Sequence, residues 1–263
     1  LTVPGFLLIL FAGTPLEVAA AVLYLSFFAE GVRPANATTI AKLAPPVQRT
    51  KAFALQRLAA NLGFSIGAAV GGVLAEWRFE LLFVVDAVTT LLAGVLLLAY
   101  FGMRRLPGEV PSAGEHLAVR SPLRDRQFAF FLLLLLATSV VFFQFLATYP
   151  LYLRGHYRLT ESLIGALFAV NTLLIVAMEM VLVDCVKHWP LLKTIGWGFF
   201  LTCLGFGLLP FGSTFAFAVV AMLVLTVGEM LSAPLTAGYV ANLSPAGREG
   251  AYMGWLAVTM SLA

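Results

Sequence analysis

The sequence predicts an all-α membrane protein built as two pseudo-symmetric helical bundles, and three observations carry that prediction. Of its 263 residues, 61% are apolar and only 11% charged, with a mean hydropathy of +0.96. Apolar stretches of membrane-spanning length follow one another with short breaks. The second half of the chain also repeats a pattern of the first at a spacing of 200 residues. A soluble globule carries about a quarter of its residues as charges to clothe its surface, and 16 basic and 13 acidic residues do not suffice for that. This composition excludes a soluble enzyme, a nucleic-acid binder and a disordered chain. In a lipid-embedded chain the net charge of +3 reports loop orientation rather than affinity for nucleic acid.

Apolar stretches bounded by Gly, Pro or charge run over about 1–12, 15–43, 50–75, 80–102, 126–150, 160–183, 192–210, 214–242 and 249–263. A crossing needs about 20 residues as a helix, so the first and last fall short. The chain therefore reads as an excerpt of a longer protein, incomplete at both ends, with seven full crossings between. Barrel strands would be about ten residues long with alternating polarity, and none of these stretches has that pattern. With no water to satisfy open backbone groups in lipid, a helix bundle remains.

Basic residues orient the crossings. Assigning alternate connections to opposite sides places Lys42, Arg49, Lys51, Arg104, Arg105, Arg120, Arg124, Arg126, Lys187, Lys193 and Arg248 on one side, against Arg78, Arg154 and Arg158 on the other. The bias of eleven to three puts the 103–125 connection in the cytoplasm. As the one long polar segment, it divides an N-terminal bundle (1–102) from a C-terminal bundle (126–263).

The repeat pairs Pro34, Ala37, Ala41, Leu43 and Pro45 with Pro234, Ala237, Ala241, Leu243 and Pro245. After a one-residue gap, Arg49, Ala52 and Phe53 answer to Arg248, Ala251 and Tyr252, and Glu30 answers to Glu229 in the same shifted register. Duplication at this period in a helical membrane protein points to a transporter with two related halves and a central site. The stretch Gly31-Val32-Arg33-Pro34-Ala35, the turn from Pro45 to Arg49, and the glycine helix from Asn61 to Gly72 resemble the fourth and fifth helices of major facilitator superfamily transporters. The glycine helix is similar to the antiporter motif of that family, with Ala68 where a proline is usual and Phe28 in the place of the fourth-helix arginine. Thr148 to Leu153 and the connection containing Asp184 are also similar, although Cys185 and Lys187 replace a basic residue and a glycine. The resemblance implies that 1–102 holds helices three to six and 126–263 holds helices seven to eleven. Its drug:proton antiporter branch gives the best match.

Ionisable residues inside the crossings are costly in lipid and mark candidate sites. Glu30 and Arg33, one turn apart and about 16–21 Å from the near end of their segment, form either a structural ion pair or a proton- or substrate-binding pair. Asp86 lies at a similar depth and either joins Arg33 or sits near the outer interface. Arg57 reads as a snorkelling side chain. Glu229, with no basic neighbour close in sequence, is a better proton-carrier candidate than the paired Glu30. Asn171, Gln144 and Tyr149 suit an otherwise apolar substrate cavity, and hydrogen bonding between helices accounts for Asn171 equally well. Gly63, Gly67, Gly71 and Gly72 form a small-residue face for close helix packing, with gating as a possible use of it. Asp184 is expected to face the start of the helix near Lys51 and to lock one side shut.

Cys185 and Cys203 form no CxxC, and His156 and His188 lack metal-ligand spacing. No nucleotide loop or nucleophile elbow occurs, so neither enzymatic chemistry, a cofactor nor a metal is expected. The reading is a monomeric, multi-pass transporter of the plasma (bacterial inner) membrane. It would move a small amphipathic solute by alternating access, with proton-coupled efflux of the multidrug-resistance kind. Two alternatives stay open: a proton-coupled nutrient or peptide symporter, and a non-transporting scaffold or receptor on a transporter fold.

Overall fold

A computed structural model describes residues 2–103, 121–245 and 247–263, giving the helical path alone at 68, 69, 72, 73, 75, 76, 101 and 103. Of the 103–125 connection, residues 104–120 lie outside the described residues, and with them Arg104, Arg105 and Arg120.

The described chain is helical: α1 (Thr2–Phe11), α2 (Pro15–Leu43), α3 (Arg49–Trp77), α4 (Glu80–Met103), α5 (Arg126–Phe143), α6 (Thr148–Gly155), α7 (Glu161–Val186), α8 (Leu191–Leu208), α9 (Phe215–Leu243) and α10 (Glu249–Ser261). Side-chain caps set several starts. Asp125 accepts from the backbone N–H groups of Gln127 and Phe128, Thr160 from Leu163, and Thr214 from Phe217, filling donors that a helix start leaves open. Helices α5 and α6 form one apolar span from Arg126 to Gly155, broken at 144–147. Six spans among the described residues are long and apolar enough to cross a membrane, so the chain is an integral, multi-pass membrane protein. Helix α3, the seventh expected crossing, has the length at 29 residues and carries Arg49, Lys51 and Arg57 in its first turns.

The repeat has a structural counterpart. Helices α2 and α9 are each 29 residues long, start and end 200 positions apart, and carry Pro34 and Pro234 at matched interior positions. A proline is tolerated there because membrane neighbours can re-satisfy the freed backbone groups.

Two compact units result. One comprises residues 1–33 and 66–121, the other 34–65 and 122–263. The division is not linear, since α2 and α3 contribute to both. In the first unit α1 packs on α4, and Gly5 of α1 fits closely against Tyr24 and Leu25 of α2. The second unit has its tightest crossing between α8 and α9. A Cβ at Gly198 would stand 2.9 Å from the Gly228 carbonyl, and one at Gly205 would stand 2.6 Å from Leu225 Cβ. Small residues allow such backbone approach in lipid, where packing must supply the attraction that water supplies elsewhere. Apolar layers then fill in around it: Ala54, Val183, Ile195 and Leu235 in one, Phe53, Phe128, Val240 and Met253 in another.

The glycines expected at close contacts do not make them here. Among the described residues nothing lies within 4 Å of a Cβ built at Gly63 or Gly67, and Gly71 meets only Leu82 at 3.6 Å. Gly72 is among the residues whose surroundings are not described.

Candidate functional site

Three helices of the second unit bring their ionisable side chains to one point. Helix α7 carries Asn171 and Glu179 two steps of four residues apart, on the buried face they share with Ile175 and Val183. Helix α9 supplies Glu229 one turn after Thr226. Helix α3 supplies Arg57. Its Nη1 donates to Glu179 Oε1 at 2.7 Å and to the Glu229 carbonyl at 3.3 Å, while Nη2 makes an ion-pair contact with Glu229 Oε1 at 2.7 Å. Asn171 Nδ2 donates to Glu229 Oε2 at 3.0 Å and to Thr226 Oγ1 at 2.9 Å. The Thr226 hydroxyl in turn donates to the Met222 carbonyl.

Burial makes this arrangement chemically demanding. The Glu179 side chain is 0% exposed, Glu229 13% and Arg57 17%. Two carboxylates facing one guanidinium leave one negative charge without a partner when all three are ionised, a costly state away from water. Glu179 Oε2 has no hydrogen-bond partner among the described residues, and neither does Asn61 Nδ2 one turn beyond Arg57 on α3. On its other side Glu229 lines a mostly apolar cavity of about 100 Å³ between α5, α8, α9 and α10, with Thr138, Ser139, Thr202, Ser232 and Thr236 as its hydroxyl groups. The Thr236 hydroxyl is buried without a partner among the described residues.

This geometry revises two expectations. Arg57 does not snorkel, because two buried carboxylates hold its guanidinium inside the unit. Glu229 does have a basic partner, from a helix 172 positions away in sequence. Asn171 is a hydrogen-bond bridge between α7 and α9. Glu179 had no assigned role, although a lone acid two turns from Asn171 on the same helix face was a readable signal.

The other expected residues are dispersed. Glu30 and Arg33 form an exposed i,i+3 pair at 3.7 Å. Asp86 is exposed, and no ion pair joins it to Arg33 among the described residues. Gln144 sits in the α5–α6 break, donating to the Val140 carbonyl and accepting from the Thr148 hydroxyl at 2.7 Å. Tyr149 is buried among Phe145, Phe168 and Phe206, and its hydroxyl has no hydrogen-bond partner among the described residues. Asp184, at the end of α7, meets Lys51 near the start of α3 at 2.5 Å and Lys187 at 3.3 Å.

Comparison with known proteins gives the family. The family model described as the Major Facilitator Superfamily matches residues 1–263. The chain is 29% identical to the uncharacterized MFS-type transporter YttB of Bacillus subtilis (strain 168), over 78% of this chain and 52% of that protein. It is 27% identical to the Na(+), Li(+), K(+)/H(+) antiporter of Planococcus maritimus, over 94% of this chain and 66% of the other. A third relative, the multidrug resistance protein MdtH of Aeromonas salmonicida (strain A449), is 23% identical over 87% and 57%. The chain thus spans between about half and two thirds of the length of these relatives.

Proposed function

The chain belongs to the Major Facilitator Superfamily, and from that premise we propose that the protein containing it is a proton-coupled secondary transporter of a small amphipathic solute. The observation that carries the reading is the contact of one arginine, Arg57, with two buried carboxylates, Glu179 and Glu229. One proton on the carboxyl pair brings the cluster to neutrality, and its loss leaves an uncompensated buried charge. Two conformations that hydrate this cluster differently bind that proton with different affinity, and such a difference is what lets a proton gradient drive alternating access. Asn171 orients Glu229, and Thr226 fixes the carboxamide.

In this reading the Lys51–Asp184 contact is a latch on the cytoplasmic side, with the 103–125 connection on that same side and the protein in the bacterial inner membrane. Glu30, Arg33 and Asp86 serve as further proton or solute contacts in the other unit. Efflux in exchange for protons is favoured, in keeping with a relative named as a multidrug resistance protein.

A second reading follows from the donor set. Carboxylate oxygens of Glu179 and Glu229, the Thr226 hydroxyl and the Asn171 carboxamide are hard oxygen ligands that suit a monovalent cation once Arg57 withdraws. A relative is named as a cation/H(+) antiporter. Everted vesicles containing the full-length protein and a trapped pH indicator test both readings. A lipophilic amine that dissipates the proton gradient, with Na⁺ and K⁺ silent, supports solute efflux. The converse supports cation exchange. Solute moving with the proton flow establishes a symporter, and no response to any of them leaves the non-transporting scaffold. Glu229→Gln should abolish the active response.

A further inference from the structure

A groove of about 660 Å³ opens where α3 and α8 begin and α7 and α9 end. Since α7 and α9 have spanning length, their ends mark a membrane–water interface. The groove has two different walls. Lys51, Lys187 and His188 form a basic rim, with the Gln48 side chain beside it; Val183, Val186, Leu191 and Leu235 form an apolar wall. At its mouth stand Trp189, 58% exposed, and Val47, 93% exposed. Tryptophan is enriched at the headgroup level of membranes.

We propose that this groove binds an anionic phospholipid, with its phosphate on the basic rim and the start of an acyl chain on the apolar wall. The acidic group facing the rim is Asp184, which contacts both Lys51 and Lys187. Two ammonium groups against one carboxylate leave a net positive charge, and each ammonium has three N–H donors, so donors remain for phosphate oxygens. A free phosphate ion would use only the rim. The apolar wall and the exposed tryptophan select a lipid. The site is independent of which solute is carried, because none of its lining residues belongs to the Arg57 cluster.

Trp189 reports on occupancy. The full-length protein is reconstituted in phosphatidylcholine vesicles containing a minor share of phosphatidylglycerol, with bromine on the acyl chains of one lipid or the other. Trp189 fluorescence is isolated as the difference from Trp189→Phe. The expected result is stronger quenching by brominated phosphatidylglycerol than by brominated phosphatidylcholine at equal mole fraction. Each basic residue near an anionic surface contributes roughly fivefold to lipid affinity, so Lys187→Gln should lower the preference by about that factor. Asp184→Asn should raise it, a direction that simple loss of folding cannot produce. Equal quenching by the two lipids in the wild type overturns the site, as does a preference unchanged in the Lys51→Gln/Lys187→Gln double variant. Displacement by inorganic phosphate at low millimolar concentration would show an anion site without lipid selectivity, and would overturn the lipid assignment.

Discussion

Truncating Arg57 would leave Glu179 and Glu229 buried together with no cation between them. Breaking a buried ion pair from one side costs about 3–5 kcal/mol, so Arg57→Ala should lower the thermal stability of the detergent-solubilised protein severely. Glu179→Gln acts differently. It removes the uncompensated charge, keeps the side chain's shape, and leaves the Arg57–Glu229 pair balanced. Its melting temperature should equal or exceed the wild-type value, while proton-driven accumulation falls at least tenfold and downhill solute exchange persists. Loss of both transport modes together would assign Glu179 a structural role instead. Only part of this cluster was legible in the sequence. Glu229 and Asn171 stood out as polar residues in apolar helices. Arg57 did not, because its partners are 122 and 172 positions away and no local period brings them together. A charged side chain two turns into a helix near an interface reads as snorkelling until an acid from another helix is placed beside it.

Glycine at the level of the helix shows the same asymmetry between pattern and packing. The residues 63, 67 and 71 repeat at fours and read as a packing face, yet at two of them an added Cβ would meet nothing within 4 Å among the described residues. Close approach between α8 and α9 is made instead by Gly198, Gly205 and Gly228, which are spread over two helices and form no single-helix motif. An added methyl at Gly228 would collide with the Thr202 backbone N–H and hydroxyl. Overpacking of this kind costs about 1–3 kcal/mol, so Gly228→Ala should reduce stability by that order. Gly63→Ala and Gly67→Ala should be neutral or stabilising by up to about 1 kcal/mol, since alanine is the better helix former. Thermal unfolding of the three variants in one detergent compares them directly. Destabilisation at Gly63 equal to that at Gly228 would place an unseen partner against α3. Helix existence itself was easily read, because spans of 21 to 30 residues in an apolar chain leave few alternatives. Which faces touch was harder, because nearly every face is apolar and burial no longer separates inside from outside.

At the scale of the molecule, the 200-residue repeat was legible because prolines and an arginine are rare enough in this composition to make a coincidence improbable, and α2 and α9 match it in length and position. The Lys51–Asp184 contact belongs to this scale too. Both side chains are about half exposed, and exposed ion pairs add only about 0–1 kcal/mol of stability. If it acts as the proposed latch, its effect therefore lies in biasing two conformations of similar energy, where 1.4 kcal/mol already changes a population ratio about tenfold. Asp184→Asn should leave the melting temperature within a degree or two and shift the balance away from the latched state. A covalent version gives the sharper test. With Cys185 and Cys203, both unpaired in a disulfide, replaced by Ser, Lys51→Cys and Asp184→Cys are bridged by a short bis-methanethiosulfonate reagent. If the contact must break in every cycle, bridging stops transport and a reductant restores it, while binding of solute from the latched side is lost and from the opposite side is kept. Transport that continues through the bridge would show that α3 and α7 move as one body, and the latch would have to be sought elsewhere.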